Sequence, residues 1–165
     1  MKLCGFTDAD WAGSLTDIKS TSGGIFSIGS TAVSWYSRKQ RSMALSSAEA
    51  KYMAANLAAC EAIWMRKILV GLFGSHLDLT VIYCDNQSCI KLSVNPVFHD
   101  RYKHIDIRYH HIRDCVQRRI MLLSYIPTED QDADILTKAL TRSKFEYHRG
   151  RIGVVDNPYL VEREC

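Results

Sequence analysis

A long, almost uniformly apolar segment constrains the fold of this chain more than any other feature of its sequence. Residues 50–70 are rich in Ala, Leu, Met and Ile and contain few polar positions. Just before them, Ser46 and Glu49 form an S-x-x-E capping box, in which each side chain bonds the free backbone N–H of the other. Gly71 and Gly74 are candidate stop signals. A helix of this length without a wide polar face must pack its apolar surface against other elements, so we expect it to be buried on most sides.

The composition indicates one domain without a membrane span. A chain of 165 residues with 47% hydrophobic content can bury one substantial core but is short for two. The formal net charge of +3 is too small to identify a class of partner. No apolar run approaches the ~20 residues that cross a bilayer, and no signal peptide is visible. We therefore expect neither membrane association nor secretion.

Six scattered cysteines favour an intracellular protein, cytoplasmic or nuclear. None of them forms a C-x-x-C pair, and several lie inside apolar runs. Cysteines of this kind behave as small buried hydrophobic residues with reduced thiols. The absence of paired ligand spacing also argues against a structural zinc site.

The order of the predicted elements indicates a mixed sheet with helices packed on it. Five segments have the apolar or alternating pattern of strands, namely LCGFTDADWAG, GIFSIGS, TAVSWYS, LTVIYCDN and IMLLSYIP. In the third, Val33 and Trp35 alternate with Ala32, Ser34 and Tyr36, as in a half-buried strand. Besides the long helix, the predicted helices are NQSCIKLS, residues 104–119, and a last helix DADILTKAL with Asp132 as its N-cap.

Three aspartates lie where acids can converge on a metal ion. Asp8 and Asp85 are near strand ends, and Asp134 is in the first turn of the predicted last helix. Sites in α/β sheets form at the carboxyl ends of strands, and hard cations such as Mg²⁺ need oxygen ligands. Each acid also has a structural explanation, since Asp85 can cap a helix, Asp134 can complement a helix dipole and Asp8 can end a strand. Spacing alone favours the structural explanation for any one of them.

Two basic clusters are suited to phosphate contacts. Residues 101–119 carry six basic side chains against two acidic ones, opposite the apolar stripe of that helix, and residues 37–41 form a second cluster. The alternative is a solvated helix face. The candidate nucleic-acid-binding residues are Arg38, Lys39, Arg41, Lys103, Arg108, Arg113, Arg118 and Arg119. Three histidines at 104, 110 and 111 are expected at the surface or on phosphates rather than on a metal.

Several long motifs, in order, resemble the ribonuclease H domain that ends the polyprotein of copia-type LTR retrotransposons. They run almost continuously from Gly5 to Leu140 and include GFTDADWAG, SWYSRKQ, ALSSAEAKYMAA, IYCDNQS, NPVFHDRYKHIDIRYHHIRD and YIPTEDQDADILTKAL. The resemblance implies a ribonuclease H-like α/β fold with a five-stranded mixed sheet. In it, strands 1–3 are antiparallel, strands 4 and 5 are parallel to strand 1, and helices cover both faces. It also implies a domain over residues 1–140, with residues 141–165 as a C-terminal tail packed partly on it.

The same resemblance implies a function and a departure from it. The family activity is Mg²⁺-dependent hydrolysis of the RNA strand of RNA/DNA hybrids, at a site that holds two Mg²⁺ ions. An upstream reverse transcriptase is a possible partner. The family acids correspond to Asp8, Asp85 and Asp134 of this chain. The fourth, the second Glu of a motif similar to SSAEAEY, corresponds to Lys51.

Lys51 is expected to cripple hydrolysis. Lysine has no acceptor atom, so it cannot ligate Mg²⁺ and would instead pair with the three aspartates. Glu49 cannot replace the lost ligand, because residues two apart on a helix diverge by about 200°. In the alternative arrangement, Lys51 extends to solvent and the aspartates bind one metal weakly. The alternative function is an inactive module for binding nucleic acid or protein.

Overall fold

The order of strands and helices in the computed structural model follows the order read from the sequence. The structure describes residues 1–74, 77–94 and 106–155, with only the backbone of residues 106–110. The strands are β1 Leu3–Ala9, β2 Thr21–Ile28, β3 Thr31–Lys39, β4 Thr80–Cys84 and β5 Met121–Tyr125. The α-helices in these ranges are α1 Ser47–Phe73, α2 Gln87–Val94, α3 Asp106–Gln117 and α4 Arg142–Arg151. Short 3₁₀ helices span Thr128–Asp130 and Asp132–Leu136.

The sheet has five strands in the order β3-β2-β1-β4-β5, which confirms the predicted mixed sheet. β1 pairs antiparallel with β2, and β2 with β3, while β4 is parallel to β1 and to β5. Because β1 and β4 are parallel neighbours, their carboxyl ends lie side by side. This adjacency places Asp8, near the end of β1, beside Asp85, which follows β4.

Helices cover both faces of the sheet. On one face, side chains of the sheet such as Phe26 and Ile82 are fully buried with Tyr52 of α1 and Ile112 of α3. On the other face, the 3₁₀ helix Asp132–Leu136 approaches β2 so closely that a Cβ at Gly23 would lie 2.7 Å from Thr137 Cγ2. A larger residue at position 23 would collide with this second layer, so glycine is required there.

Helix α1 has buried residues only as far as Met65. Ser46 Oγ accepts a hydrogen bond from Glu49 N at 3.2 Å, as the capping box predicted, and the helix ends at Gly74 in the left-handed conformation rather than at Gly71. Beyond Met65, however, Leu72 and Phe73 are 71% and 57% exposed. The expectation of burial on most sides is wrong for this part. A helix of 27 residues is roughly 40 Å long, whereas strands of five to nine residues span about 17–30 Å, so α1 extends beyond the sheet.

The segment DADILTKAL is not the predicted α-helix. Asp132–Leu136 form a 3₁₀ helix whose N-cap is Gln131, not Asp132, and the Gln131 side chain accepts from Ala133 N at 3.3 Å. The last α-helix is α4, in the segment expected to be a tail. Asp132 is buried and contacts His148 of α4, and this tertiary contact replaces its expected capping role.

Strand β3 is half-buried, but Val33 and Trp35 form its outer side. They are 45% and 63% exposed, whereas Tyr36 is buried. β3 is an edge strand with a helical layer on one side, so its larger apolar residues remain at the surface.

The cysteines Cys4, Cys60, Cys84, Cys89 and Cys115 are free thiols, of which Cys60 is exposed. In the described ranges, no helix combines the length and the hydrophobicity that a bilayer crossing requires.

Candidate active site

Three aspartates meet at the carboxyl ends of β1 and β4. Asp8 is the penultimate residue of β1, Asp85 directly follows β4, and Asp134 lies in the 3₁₀ helix Asp132–Leu136. One carboxylate oxygen from each lies within 4.8 Å of the others. The structure thus brings together the three acids that the sequence singled out. Their role as metal ligands or catalytic groups stays a prediction.

Lys51 of α1 enters this cleft and joins two of the acids. Its Nζ lies 2.9 Å from Asp8 Oδ1 and donates a hydrogen bond to Asp85 Oδ1. The Lys51 side chain is only 13% exposed, so the alternative in which it extends to solvent is not the observed arrangement. The ammonium group occupies the space between two of the predicted ligands.

For Asp8 and Lys51, the opposite charges and hydrogen bonds together shift each pKa further than burial does. Burial alone would raise the pKa of Asp8, but the positive charge and hydrogen bond of Lys51 hold it below its ordinary value, with help from Thr137 and Lys138. Burial alone would lower the pKa of Lys51, but Asp8 and Asp85 raise it above the ordinary lysine value. Asp8 and Lys51 are therefore both charged at neutral pH.

A second ammonium group, that of Lys138, lies at the opposite side of the triad. Its Nζ is 2.8 Å from Asp134 Oδ2 and 3.8 Å from Asp8 Oδ2. Burial raises the pKa of Asp134 to about 6, and the negative charge of Asp8 adds to this increase while Lys138 opposes it. Burial thus brings the Asp134 carboxylate closer to protonation at neutral pH than an ordinary aspartate.

Two threonine hydroxyls bind the second carboxylate oxygens of Asp8 and Asp85. Thr137 Oγ1 donates to Asp8 Oδ2 at 2.5 Å, and Thr128 Oγ1 donates to Asp85 Oδ2 at 3.1 Å. Both threonines belong to the connection between β5 and α4, which also supplies Asp134. Each acid of the triad is thus held by at least one cation or hydroxyl group.

Similar sequences occur in transposon polyproteins, although no protein-family model matches the chain. The retrovirus-related Pol polyprotein from transposon TNT 1-94 of Nicotiana tabacum is 43% identical over 155 residues, which cover 94% of this chain. That from transposon RE1 of Arabidopsis thaliana is 41% identical over 158 residues, which cover 96% of it. The chain spans only 12% and 11% of those polyproteins.

The fold resembles solved ribonuclease H domains. LC11-RNase H1 has a TM-score of 0.62 at 16% identity, covering 82% of this chain and 92% of that chain. Its complex with RNA/DNA hybrid has a TM-score of 0.59 at 15% identity, covering 82% and 94%. Prototype Foamy Virus Protease-Reverse Transcriptase has a TM-score of 0.55 at 12% identity, covering 94% of this chain and 21% of that chain.

The chain belongs to the ribonuclease H-fold domains of copia-type retrotransposon Pol polyproteins. In this ribonuclease H-fold domain, the two Mg²⁺ ions expected of the family would need several carboxylate ligands and their negative charge. Three carboxylates are suitable ligands, and Asp134 Oδ1 is buried without a hydrogen-bond partner in the described ranges. However, ammonium groups already pair with all three acids, which leaves the cluster close to neutral. The residues therefore do not fit a site for two dications, because the two ammonium groups compensate most of the negative charge that such a site needs.

The structure describes only part of the predicted nucleic-acid surface of the ribonuclease H-fold domain. Arg38, Lys39 and Arg41 are exposed at and after the end of β3, and Lys39 pairs with Asp17 at 2.9 Å. On α3 and just after it, Arg118 and Arg119 are exposed and Arg113 is half-buried, with Arg118 3.4 Å from Asp114. Lys103 and the side chain of Arg108 lie outside the described residues. His111 is half-buried rather than on the surface, and its Nδ1 lies 3.0 Å from Asn56 Oδ1.

Sequence reasoning missed a buried polar network that attaches α4 to the site. His148 Nδ1 and Arg151 Nε lie 2.8 and 3.2 Å from Asp132 Oδ1, two residues before Asp134. Contacts across 16 or 19 residues leave no periodic signal. Lys138 could have been found, since it follows Asp134 at the i,i+4 spacing of helical ion pairs.

Proposed function

We propose that this domain is a retroelement ribonuclease H domain that binds RNA/DNA hybrids but hydrolyses their RNA at little above background. The observation that carries the proposal is the position of Lys51. Its ammonium group lies between Asp8 and Asp85, where the family places a carboxylate and metal ions. A fixed cation at this place repels dications and supplies no ligand atom.

The binding half of the proposal is supported by the exposed basic residues beside the cleft. Arg38, Lys39 and Arg41 provide positive charge on a surface suited to tracking phosphates. The hybrid complex of LC11-RNase H1 supports the same class of ligand for this fold. Recognition through phosphate and 2′-OH groups gives weak sequence preference and an affinity that falls with salt. The similarity to a protease-reverse transcriptase chain also favours an upstream reverse transcriptase as a linked partner.

One observation favours a second function, binding of another protein. The last part of α1 exposes Trp64, Leu72 and Phe73, which are 55%, 71% and 57% exposed. Such apolar groups are suited to a protein contact. Salt-dependent binding of hybrids separates the two functions, because a protein-interaction module has no reason to bind them.

The decisive experiment is cleavage of a labelled RNA/DNA hybrid by the wild-type protein and Lys51→Glu. The wild type should cut at background level even at high Mg²⁺, and Lys51→Glu should gain cleavage by about 10²-fold or more, since the other acids are in place. Lys51→Met is the matched control, because it removes the ammonium group without adding a ligand. It should stay inactive.

Further variants and outcomes make the experiment conclusive. Asp85→Asn in the Lys51→Glu background should abolish the gained activity. Brisk cleavage by the wild type, unaffected by Lys51→Glu, would place Lys51 outside the site and refute the proposal. A folded Lys51→Glu protein without any activity would show that Lys51 is not what disables the domain.

A further inference from the structure

Trp11 is an exposed aromatic residue held in a fixed position beside the cleft. Its indole is 56% exposed, and its Nε1 donates a hydrogen bond to Ala44 O at 3.3 Å. The two other tryptophans of the chain, Trp35 and Trp64, are similarly exposed, at 63% and 55%, but lie on the outer side of β3 and on the solvent-facing side of α1, 13 residues after Lys51. Trp11 is therefore distinguished by its location, three residues after Asp8.

The partner of Trp11 places the indole next to the start of α1. Ala44 packs on a small cluster of Ala9, Ala50 and Ala54, which joins the end of β1 to the first turns of that helix. Lys51 directly follows Ala50, so this cluster adjoins the acidic cleft. Met43 and Leu45, on either side of Ala44, are 56% and 70% exposed. We refer to Trp11, Met43 and Leu45 as the Trp11 patch.

Basic residues precede Met43 of the Trp11 patch, whereas Asp8 and Asp10 precede Trp11 itself. Residues 18–48 contain four basic residues and no acidic residue. Three of the four, Arg38, Lys39 and Arg41, are exposed and precede Met43 by two to five residues. An exposed aromatic ring with apolar neighbours and adjacent positive charge combines the features of surfaces that bind single-stranded nucleic acid. The ring stacks on a base while the cations contact the phosphates.

We propose that the Trp11 patch binds an unpaired nucleotide at the junction between a hybrid duplex and a single strand. Bases in the interior of a duplex are stacked on both faces, so they offer Trp11 no free face, whereas a base that leaves the duplex does. The cations beside the patch hold the backbone of that strand. The inference rests on the proposed nucleic-acid binding and adds a substrate class to it: junctions bind more tightly than blunt hybrids. Stacking has little sequence preference, because every base has a flat face.

The test compares the affinities of a blunt hybrid and the same hybrid with a single-stranded overhang, measured by fluorescence anisotropy. The wild type should bind the overhang form roughly 5- to 100-fold more tightly, which is the range expected for stacking of one base. Trp11→Ala should lose this preference while keeping the blunt affinity and its salt dependence. Trp64→Ala is the matched control, since Trp64 is similarly exposed but lies on the solvent-facing side of α1, 13 residues after Lys51, and it should retain the preference. Trp11→Phe should retain most of it.

A spectroscopic measurement reports on Trp11 directly. In the double variant Trp35→Phe, Trp64→Phe, the remaining emission comes from Trp11, and the overhang form should quench it in a saturable way while the blunt form should not. This measurement remains decisive if Trp11→Ala fails to fold. Blunt binding with neither an overhang preference nor quenching of Trp11 would overturn this inference alone. Failure to bind either form would overturn the proposed function as well.

Discussion

Replacement of Lys51 by methionine should destabilise the protein, although it removes a cation from the predicted metal site. Lys51→Met leaves Asp8, which is fully buried, without its nearest counter-ion, and Asp85, 4% exposed, without its ammonium partner. Lys138, 3.8 Å from Asp8, is then the nearest remaining cation among the described contacts of that acid. Breaking a buried ion pair by removing one partner costs 3–5 kcal/mol, and Lys51 is partly exposed, so we expect a loss of about 3 kcal/mol.

This loss is a large part of the free energy of unfolding, which is typically 5–15 kcal/mol for a domain. It corresponds to a decrease in Tm of roughly 6–12 °C for a chain of this size. The assay is urea denaturation followed by circular dichroism in the presence of EDTA. Lys67→Met is the matched control, because Lys67 is an exposed lysine of the same helix, and it should change stability by less than about 0.5 kcal/mol.

Lys51→Glu should show the same loss and a dependence on Mg²⁺ that the wild type lacks. Four carboxylates without a counter-ion repel each other, and a dication that binds the folded state reverses this repulsion. At a Mg²⁺ concentration about 100-fold above the dissociation constant, binding stabilises the folded state by ~2.7 kcal/mol. The reasoning is refuted if Lys51→Met is as stable as the wild type, or if Mg²⁺ stabilises the wild type as strongly as it stabilises Lys51→Glu.

Two further predictions concern pH and the length of α1. Between pH 4 and pH 6 the folded state binds a proton at Asp134 that the unfolded state has released, because burial raises its pKa to about 6, so wild-type stability should fall as pH rises through this window. Asp134→Asn should lack this component, on the order of 2–3 kcal/mol, and parallel urea midpoints for the two proteins at pH 4 and 6 would contradict the assignment. Gly71→Ala should stabilise the protein by up to about 1 kcal/mol, since Gly71 lies inside α1 with open space around it, and a lower Tm would show that the helix is interrupted there.

The sheet and the convergence of the acids could be predicted from the sequence because both depend on local signals in a fixed order. Asp8 and Asp85 follow apolar strand segments, and parallel neighbouring strands bring such residues together whatever the connecting loops do. The entry of Lys51 into the cleft was expected only from the resemblance to the ribonuclease H domain, in which the corresponding residue is an acid. Periodicity and turn signals predicted the strands and α1, whereas the resemblance supplied the roles of the three aspartates and of position 51.

The remaining features depend on contacts between distant segments. Asp132 has the sequence context of an N-cap, but it lies inside a 3₁₀ helix and its carboxylate contacts His148. The exposed end of α1 has the composition of a buried helix, and its exposure follows from the neighbouring strands, which are shorter than the helix. The bond from Trp11 to Ala44 spans 33 residues between two loops, where no periodic pattern exists.

The ion pairs around Asp8 also limit which substitutions this sequence can accept during evolution. Loss of Asp8 or Asp85 alone leaves the Lys51 ammonium group with reduced compensation, and loss of Lys51 alone leaves buried carboxylates facing each other. Each of these single substitutions therefore destabilises the folded state, and only combined substitutions can remove the ion pairs without that loss. Selection for a folded chain would then preserve Asp8 and Asp85 even in lineages that never hydrolyse RNA. Under the proposed function, the residue at position 51 therefore distinguishes active from inactive copies better than these two aspartates do.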